Sequence, residues 1–125
     1  SYILKKMKKR HSEVEVETIP GVTSLSACFA QLNLPLAERN EKIAVLPAAY
    51  GLKELEELAD FDAIVLMKVS GNFDKIVETL EKAGLKENAT FVSRCGSGDF
   101  FFSDLDSMLG KEIDYFSMVI IKRKK

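Results

Sequence analysis

The chain has 125 residues, room for one domain at roughly 100–200 residues each. Hydrophobic residues make up 46% and charged residues 30%, a globular composition rather than a disordered one. With 18 Lys and Arg against 19 Asp and Glu the net charge is −1, which argues against a dedicated nucleic-acid binder, and no apolar run approaches the roughly 18 residues of a membrane span.

The chain starts at Ser1, directly in a basic segment in which Tyr2, Ile3, Leu4 and Met7 share one face at helical spacing. The spacing predicts a helix ending near His11, with Lys5 to Arg10 as its solvated face rather than an anion-binding patch. So abrupt a start suggests a chain cut within, or at the start of, a helix. Glu13 to Ile19 alternates charged and apolar residues, the period-2 mark of a half-buried strand, and Pro20-Gly21 stops it. Thr23 and Ser24 are N-cap candidates for a helix carrying Leu25, Ala27, Cys28, Phe29 and Leu32, which Pro35 ends.

Lys42 to Leu46 reads as a buried strand closed by Pro47, followed by a short helix marked by Leu52, Leu55, Leu58 and Ala59. Asp62 to Met67 is the best central strand, because parallel sheets bury such continuous apolar runs on both faces. Phe73, Ile76, Val77, Leu80 and Ala83 mark the clearest helix, and Gly84 stands where a C-terminal cap belongs. A strand at Thr90 to Ser93 leads into the loop Cys95 to Asp99. A short helix is expected from about Ser103, then a closing strand from Tyr115 to Ile121 and a solvated tail from Lys122 to Lys125.

Alternating strands and helices predict an α/β fold with a largely parallel or mixed sheet covered by helices. Ligands in such sheets bind beyond the carboxyl ends of the strands, which directs attention to the loops after Ile19, Met67 and Arg94. Two hydroxyls and a helix N-terminus at Thr23 and Ser24 could hold an acceptor-rich group, but from spacing alone a capped helix after a tight turn is the better reading. Gly96-Ser97-Gly98 fails the dinucleotide and P-loop patterns, but lets backbone approach a flat ligand. Met67 is either core filler or a soft wall against a ligand ring. Phe100, Phe101 and Phe102 are adjacent, so at least one should face away from the core.

Cys28 and Cys95 belong to no CxxC pattern, so a disulfide or structural zinc has little support. Reduced thiols without a signal peptide or acyl-anchor motif point to the cytoplasm. The single His11 sits in a charged, turn-like context, and no carboxylate pair or nucleophile–base pair suggests acid–base or covalent catalysis.

Three segments together resemble the tetrapyrrole methylases: Val16-Glu17-Thr18-Ile19-Pro20-Gly21-Val22-Thr23-Ser24-Leu25-Ser26-Ala27 with the following Leu32 to Ala37, the strand Ile64 to Met67, and the ending Tyr115 to Ile121. Within that family the likeness runs to the cobalamin-pathway members that methylate precorrin-2, or its cobalt form, at C-20. The resemblance implies two α/β domains with S-adenosylmethionine held between them. Residues 1–12 would be a linking helix from an absent N-terminal domain, and residues 13–125 the second domain, a three-layer unit with a mixed, mostly parallel five-stranded sheet. It implies cofactor contacts at Thr23, Ser24, Met67, Cys95 and Gly96, with Pro20 and Gly21 shaping the first of them, and no catalytic side chain or metal. It further implies a small tetrapyrrole substrate, a homodimer, and a fragment inactive by itself. Gly98-Asp99-Phe100-Phe101 departs from the polar, Gln-containing stretch of the family, so the substrate side is left unassigned. Other readings are a family member with a different substrate, or a non-catalytic ligand-sensing or dimerisation module.

Overall fold

The structure is a computed structural model that describes residues 1–51, 53 and 55–123. In chain order it contains α1 (Tyr2–Arg10), α2 (Ser24–Gln31), β1 (Ile43–Pro47), α3 (Ala48–Gly51), β2 (Ala63–Met67), α4 (Phe73–Lys82), β3 (Ala89–Ser93), β4 (Phe101–Ser103) and β5 (Ser117–Lys122). Short 3-10 turns lie at Val69–Gly71, Lys86–Asn88 and Asp106–Met108.

The strands form one mixed sheet in the order β1-β2-β5-β3-β4. β1, β2 and β3 point one way while β4 and β5 run against them. Because β5 inserts between β2 and β3, the β1–β2 ladder is parallel and the other three ladders are antiparallel. β2 lies between β1 and β5, and its residues Ala63 to Leu66 are fully buried, as their unbroken apolar run requires.

Alternation along the strands divides the core between two faces. Ile64, Leu66, Phe91, Val119 and Ile121 face α4, which buries Phe73, Ile76, Val77 and Leu80 against them. Val65, Val92, Met118 and Ile120 face α2, which contributes Cys28 and Phe29. Helix, sheet and helix thus make the expected three layers. α4 ends as its sequence predicts: Gly84 takes φ +70°, its N–H donates to the Glu81 carbonyl, and the Leu85 N–H reaches back to the Leu80 carbonyl at 2.8 Å. These paired bonds are a Schellman cap, which favours glycine at the left-handed position.

Glu13 to Ile19 forms no strand and is exposed throughout, since among the described residues it pairs with no strand edge that would complete a ladder, and Val14, Val16 and Ile19 stay exposed. Where a helix marked by Leu52, Leu55, Leu58 and Ala59 is expected, α3 comes earlier, and from Leu55 onward the Leu58, Ala59 and Phe61 N–H groups donate to the Leu55, Glu56 and Leu58 carbonyls in successive tight turns. Those turns bury Leu55 and Leu58 without a full helix; Leu52 lies outside the described residues, as do Lys124 and Lys125 of the expected tail. Phe101 to Ser103 is an edge strand on β3, so the helix expected from about Ser103 is only a 3-10 turn at Asp106–Met108, before which Asp104 accepts from the Ser107 N–H and hydroxyl, both at 2.8 Å. Asp104 therefore stays ionised to lower pH than usual, held first by the Ser107 N–H.

Cys28 and Cys95, read as reduced thiols, are joined by a disulfide across 67 residues of sequence, with a Cα–Cα separation of 4.9 Å. α2 lies against the sheet face beside the end of β3, and this tertiary placement brings the two residues together. Among the described residues no helix is long and apolar enough to cross a membrane.

Candidate functional site

A cavity of about 430 Å³ opens beyond the C-terminal ends of β2 and β3, against the start of β5 and the N-terminus of α2. This is the strand end at which open α/β sheets bind ligands. Its size lies within the roughly 300–1,000 Å³ of small-molecule sites.

One wall is α2. Thr23 is its N-cap in an extended conformation, with Oγ1 accepting from the Ser26 N–H at 3.2 Å and lying 3.1 Å from the Ser26 hydroxyl. That hydroxyl is committed to the helix end, and Thr23 does not line the cavity, whereas Ser24 and Cys28 do. The opposite wall is the loop after β3. Gly96 adopts φ +86°, a left-handed conformation that explains glycine there, and its N–H donates to Oε1 of Gln31 on α2 at 2.8 Å. Ser97 folds the loop on itself: its hydroxyl donates to the Arg94 carbonyl at 2.9 Å and accepts the Asp99 N–H at 3.2 Å.

The floor comes from the sheet. Met67 and Met118 are register partners across β2 and β5, and both line the cavity. Beside them the Ser117 hydroxyl, which also lines it, donates to Ser93 at 3.0 Å in a buried pair. Lys68 and Arg94 follow β2 and β3 with φ of +58° and +54°, and both reach the rim. Non-glycine residues held left-handed tend to concentrate at functional sites.

An aromatic rim completes the site. Tyr115 and Phe116, read from sequence as strand, precede β5 and are 68% and 69% exposed, their rings edge to face at 5.5 Å. They are anchored through Asp114. Its Oδ1 accepts the Phe116 N–H at 2.7 Å, while Oδ2 accepts from Arg94 Nη2 at 2.6 Å and Nε at 2.9 Å. The Arg94 N–H in turn donates to the Phe116 carbonyl at 2.9 Å. The Phe116 N–H, then the Arg94 guanidinium, hold the Asp114 carboxyl below its ordinary value, and Asp114 raises Arg94.

Four of the five sequence-predicted contacts, Ser24, Met67, Cys95 and Gly96, therefore meet around one cavity; Thr23 caps its helix instead. Pro20 and Gly21 are exposed and lie off the lining, as do Phe100 to Phe102. Sequence reasoning missed Tyr115, Phe116 and the Arg94–Asp114 pair. The available signal was two adjacent aromatics directly before an apolar strand, beside the acidic Asp114. Apolar faces, two thioethers, hydroxyls and a side-chain-free glycine suit a ligand with a flat ring and polar edges.

The sequence profile of the Tetrapyrrole (Corrin/Porphyrin) Methylases matches residues 1–103. A precorrin-2 C(20)-methyltransferase of Sinorhizobium sp is 36% identical over 107 residues, covering 85% of this chain and 44% of that protein. A probable cobalt-precorrin-2 C(20)-methyltransferase of Methanocaldococcus jannaschii is 37% identical, covering 100% of this chain and 53% of its own length. The solved structure of a cobalt precorrin-4 methyltransferase shares the fold with a TM-score of 0.69 at 20% identity, over 96% of this chain and 57% of that one. The chain spans about half the length of the curated relatives it matches. It belongs to the tetrapyrrole methylase family.

Proposed function

We propose that this chain is the cofactor-binding half of an S-adenosylmethionine-dependent methyltransferase that modifies C-20 of precorrin-2, or of cobalt-precorrin-2, in cobalamin synthesis. The observation that carries the reading is the convergence of Ser24, Met67, Cys95 and Gly96 on one cavity at the C-terminal strand ends. The similarity to two precorrin-2 C(20)-methyltransferases supports the substrate. Residues 1–12 then link to another α/β domain that completes the cleft. The assembled protein works in the cytoplasm as a homodimer, with no nucleic-acid or membrane partner.

The cavity fits the cofactor in size and in chemistry. Ser24 and the loop after β3 offer hydroxyl and backbone groups to its polar edges, Gly96 lets a ring lie close to backbone, and Met67 and Met118 supply a polarisable apolar floor. When bound, S-adenosylmethionine supplies a methyl group activated on a sulfonium. The chain's contribution is to bind, orient and exclude water, because transfer to an electron-rich ring carbon depends on alignment more than on a strong base. The Arg94–Asp114 pair holds Tyr115 and Phe116 at the rim, and so positions an apolar face on the open side of the cavity.

The test is methyl transfer by the full-length protein from S-adenosylmethionine to precorrin-2 and cobalt-precorrin-2, read by mass spectrometry. A product heavier by one methyl group, substituted at C-20, is expected from the full-length protein and not from this chain alone. Transfer to a different position or to neither substrate contradicts the reading.

A further inference from the structure

We propose that Cys28 and Cys95 are a reversible dithiol–disulfide site whose state sets how tightly the cavity holds its ligand. The ligand part of this proposal rests on the cofactor reading above; the redox part does not. Both residues line the cavity and the bond between them joins its two walls, α2 and the loop after β3. A hydrogen bond from the Gly96 N–H to Gln31 Oε1 is the other polar tie between those walls among the described residues. α2 buries two of its eight residues, Cys28 and Phe29, with Leu25 packed beside them, so Cys28 is one of its two sealed anchors.

The two sulfurs differ in access. Cys28 is 1% exposed, whereas Cys95 is half-buried at the cavity. A small reagent therefore meets Cys95 first, and Cys28 resolves the intermediate from inside. In oxidation by a low-molecular-weight disulfide, the Cys95 thiolate attacks one sulfur of the reagent and expels one thiolate. The Cys28 thiolate then attacks Cys95 in the mixed disulfide and expels the second. Two protein thiols and one reagent disulfide become one protein disulfide and two reagent thiols, so two electrons and two protons pass to the reagent. Excess reagent thiol reverses both steps: one thiolate attacks Cys95 and expels Cys28, and a second attacks the reagent sulfur of the mixed disulfide, expelling Cys95 and re-forming the reagent disulfide. In a reducing compartment, where cysteine pairs of this kind act transiently or as sensors, the bond would open and close with the thiol pool.

Closing the bond fixes the spacing of Ser24 from Gly96 before ligand arrives, and preorganisation of this kind raises affinity by reducing the ordering that binding requires. Opening it leaves the walls joined by packing and by Gln31 alone among the polar ties described.

The experiment equilibrates the full-length protein in glutathione buffers of graded ratio, counts free thiols by alkylation and mass spectrometry, and titrates S-adenosylhomocysteine into each state. Cys28→Ser, Cys95→Ser and the double variant are run alongside, with circular dichroism to confirm their folding. The expected result is loss of both thiols together as the buffer becomes oxidising, with binding about tenfold weaker in the reduced protein and the variants. The double variant should show no response to the buffer. Two thiols that remain free in fully oxidising buffer overturn the proposal, as does affinity that ignores their state. Bond formation without binding in either state contradicts the cofactor reading, and with it the ligand part of this proposal, but leaves the redox site standing.

Discussion

Residues 1–22 and the sheet region from Ile43 to Arg123 follow equally regular patterns but reach opposite ends. In the sheet region, apolar periodicity becomes burial: Ala63 to Leu66 and Val119 to Ile121 lie between two helices and are sealed. In the first 22 residues, α1 buries nothing, and Val14, Val16, Ile19 and Val22 are exposed. A pattern states which face wants cover, not what covers it. The extended segment lacks a partner strand within the described chain, so its alternation brings no ladder. Such a segment suits a protein whose curated relatives are about twice as long.

The largest expected effect separates the two regions directly. Phe91 is fully buried, with its ring edge to face with Phe73 at 5.5 Å and tilted against Phe101 at 5.7 Å. Phe91→Ala should cost about 3–5 kcal/mol in urea unfolding of this chain. Val16→Ala should stay within about 0.5 kcal/mol. A comparable loss from Val16→Ala would mean that the first 22 residues are packed after all.

Reducing the Cys28–Cys95 bond comes next. It closes a loop of 67 residues of sequence, and releasing a cross-link of that span should cost about 2–4 kcal/mol, read as a lower Tm in reducing buffer. An unchanged Tm would mean that α2 is held without it. Thr23→Ala removes the cap at α2 and should cost about 1 kcal/mol, with Thr23→Ser restoring most of it. Because Thr23 caps rather than lines, its loss should weaken S-adenosylhomocysteine binding less than Ser24→Ala does. The reverse order would return Thr23 to the ligand.

The smallest effect is an acid limb. Asp114 is held below its ordinary value of 3.8, so its ionised form favours the folded rim. That contribution is complete at neutral pH and is lost as pH falls through the lowered folded-state value. The near-ultraviolet signal of Tyr115 and Phe116 should therefore hold from pH 7 to about 5 and change below about 4. Asp114→Asn should remove part of that change; an identical acid limb in the variant would place it elsewhere.

What was legible in the sequence was what local chemistry dictates. β2 declared itself as an unbroken apolar run, α4 by its 3.6-residue stripe and Gly84, and the start of α2 by Thr23. Ser24, Met67, Cys95 and Gly96 came from family likeness, and only tertiary structure brings them to one cavity. Three features were not legible. β5 enters the sheet between β2 and β3, a non-sequential choice that turns most ladders antiparallel. Phe101 to Ser103 is extended because β3 offers it an edge, a fact absent from its own residues. Cys28 and Cys95 meet through the packing of α2 on the sheet, which their spacing does not encode.

Whether this chain supplies one side of a cofactor cleft is read from calorimetric titration of S-adenosylhomocysteine. The full-length protein and this chain are titrated side by side under oxidising conditions. Binding by the full-length protein is expected, with weak or absent heat from the chain alone. A folded full-length protein that binds no S-adenosylhomocysteine would contradict the cofactor reading.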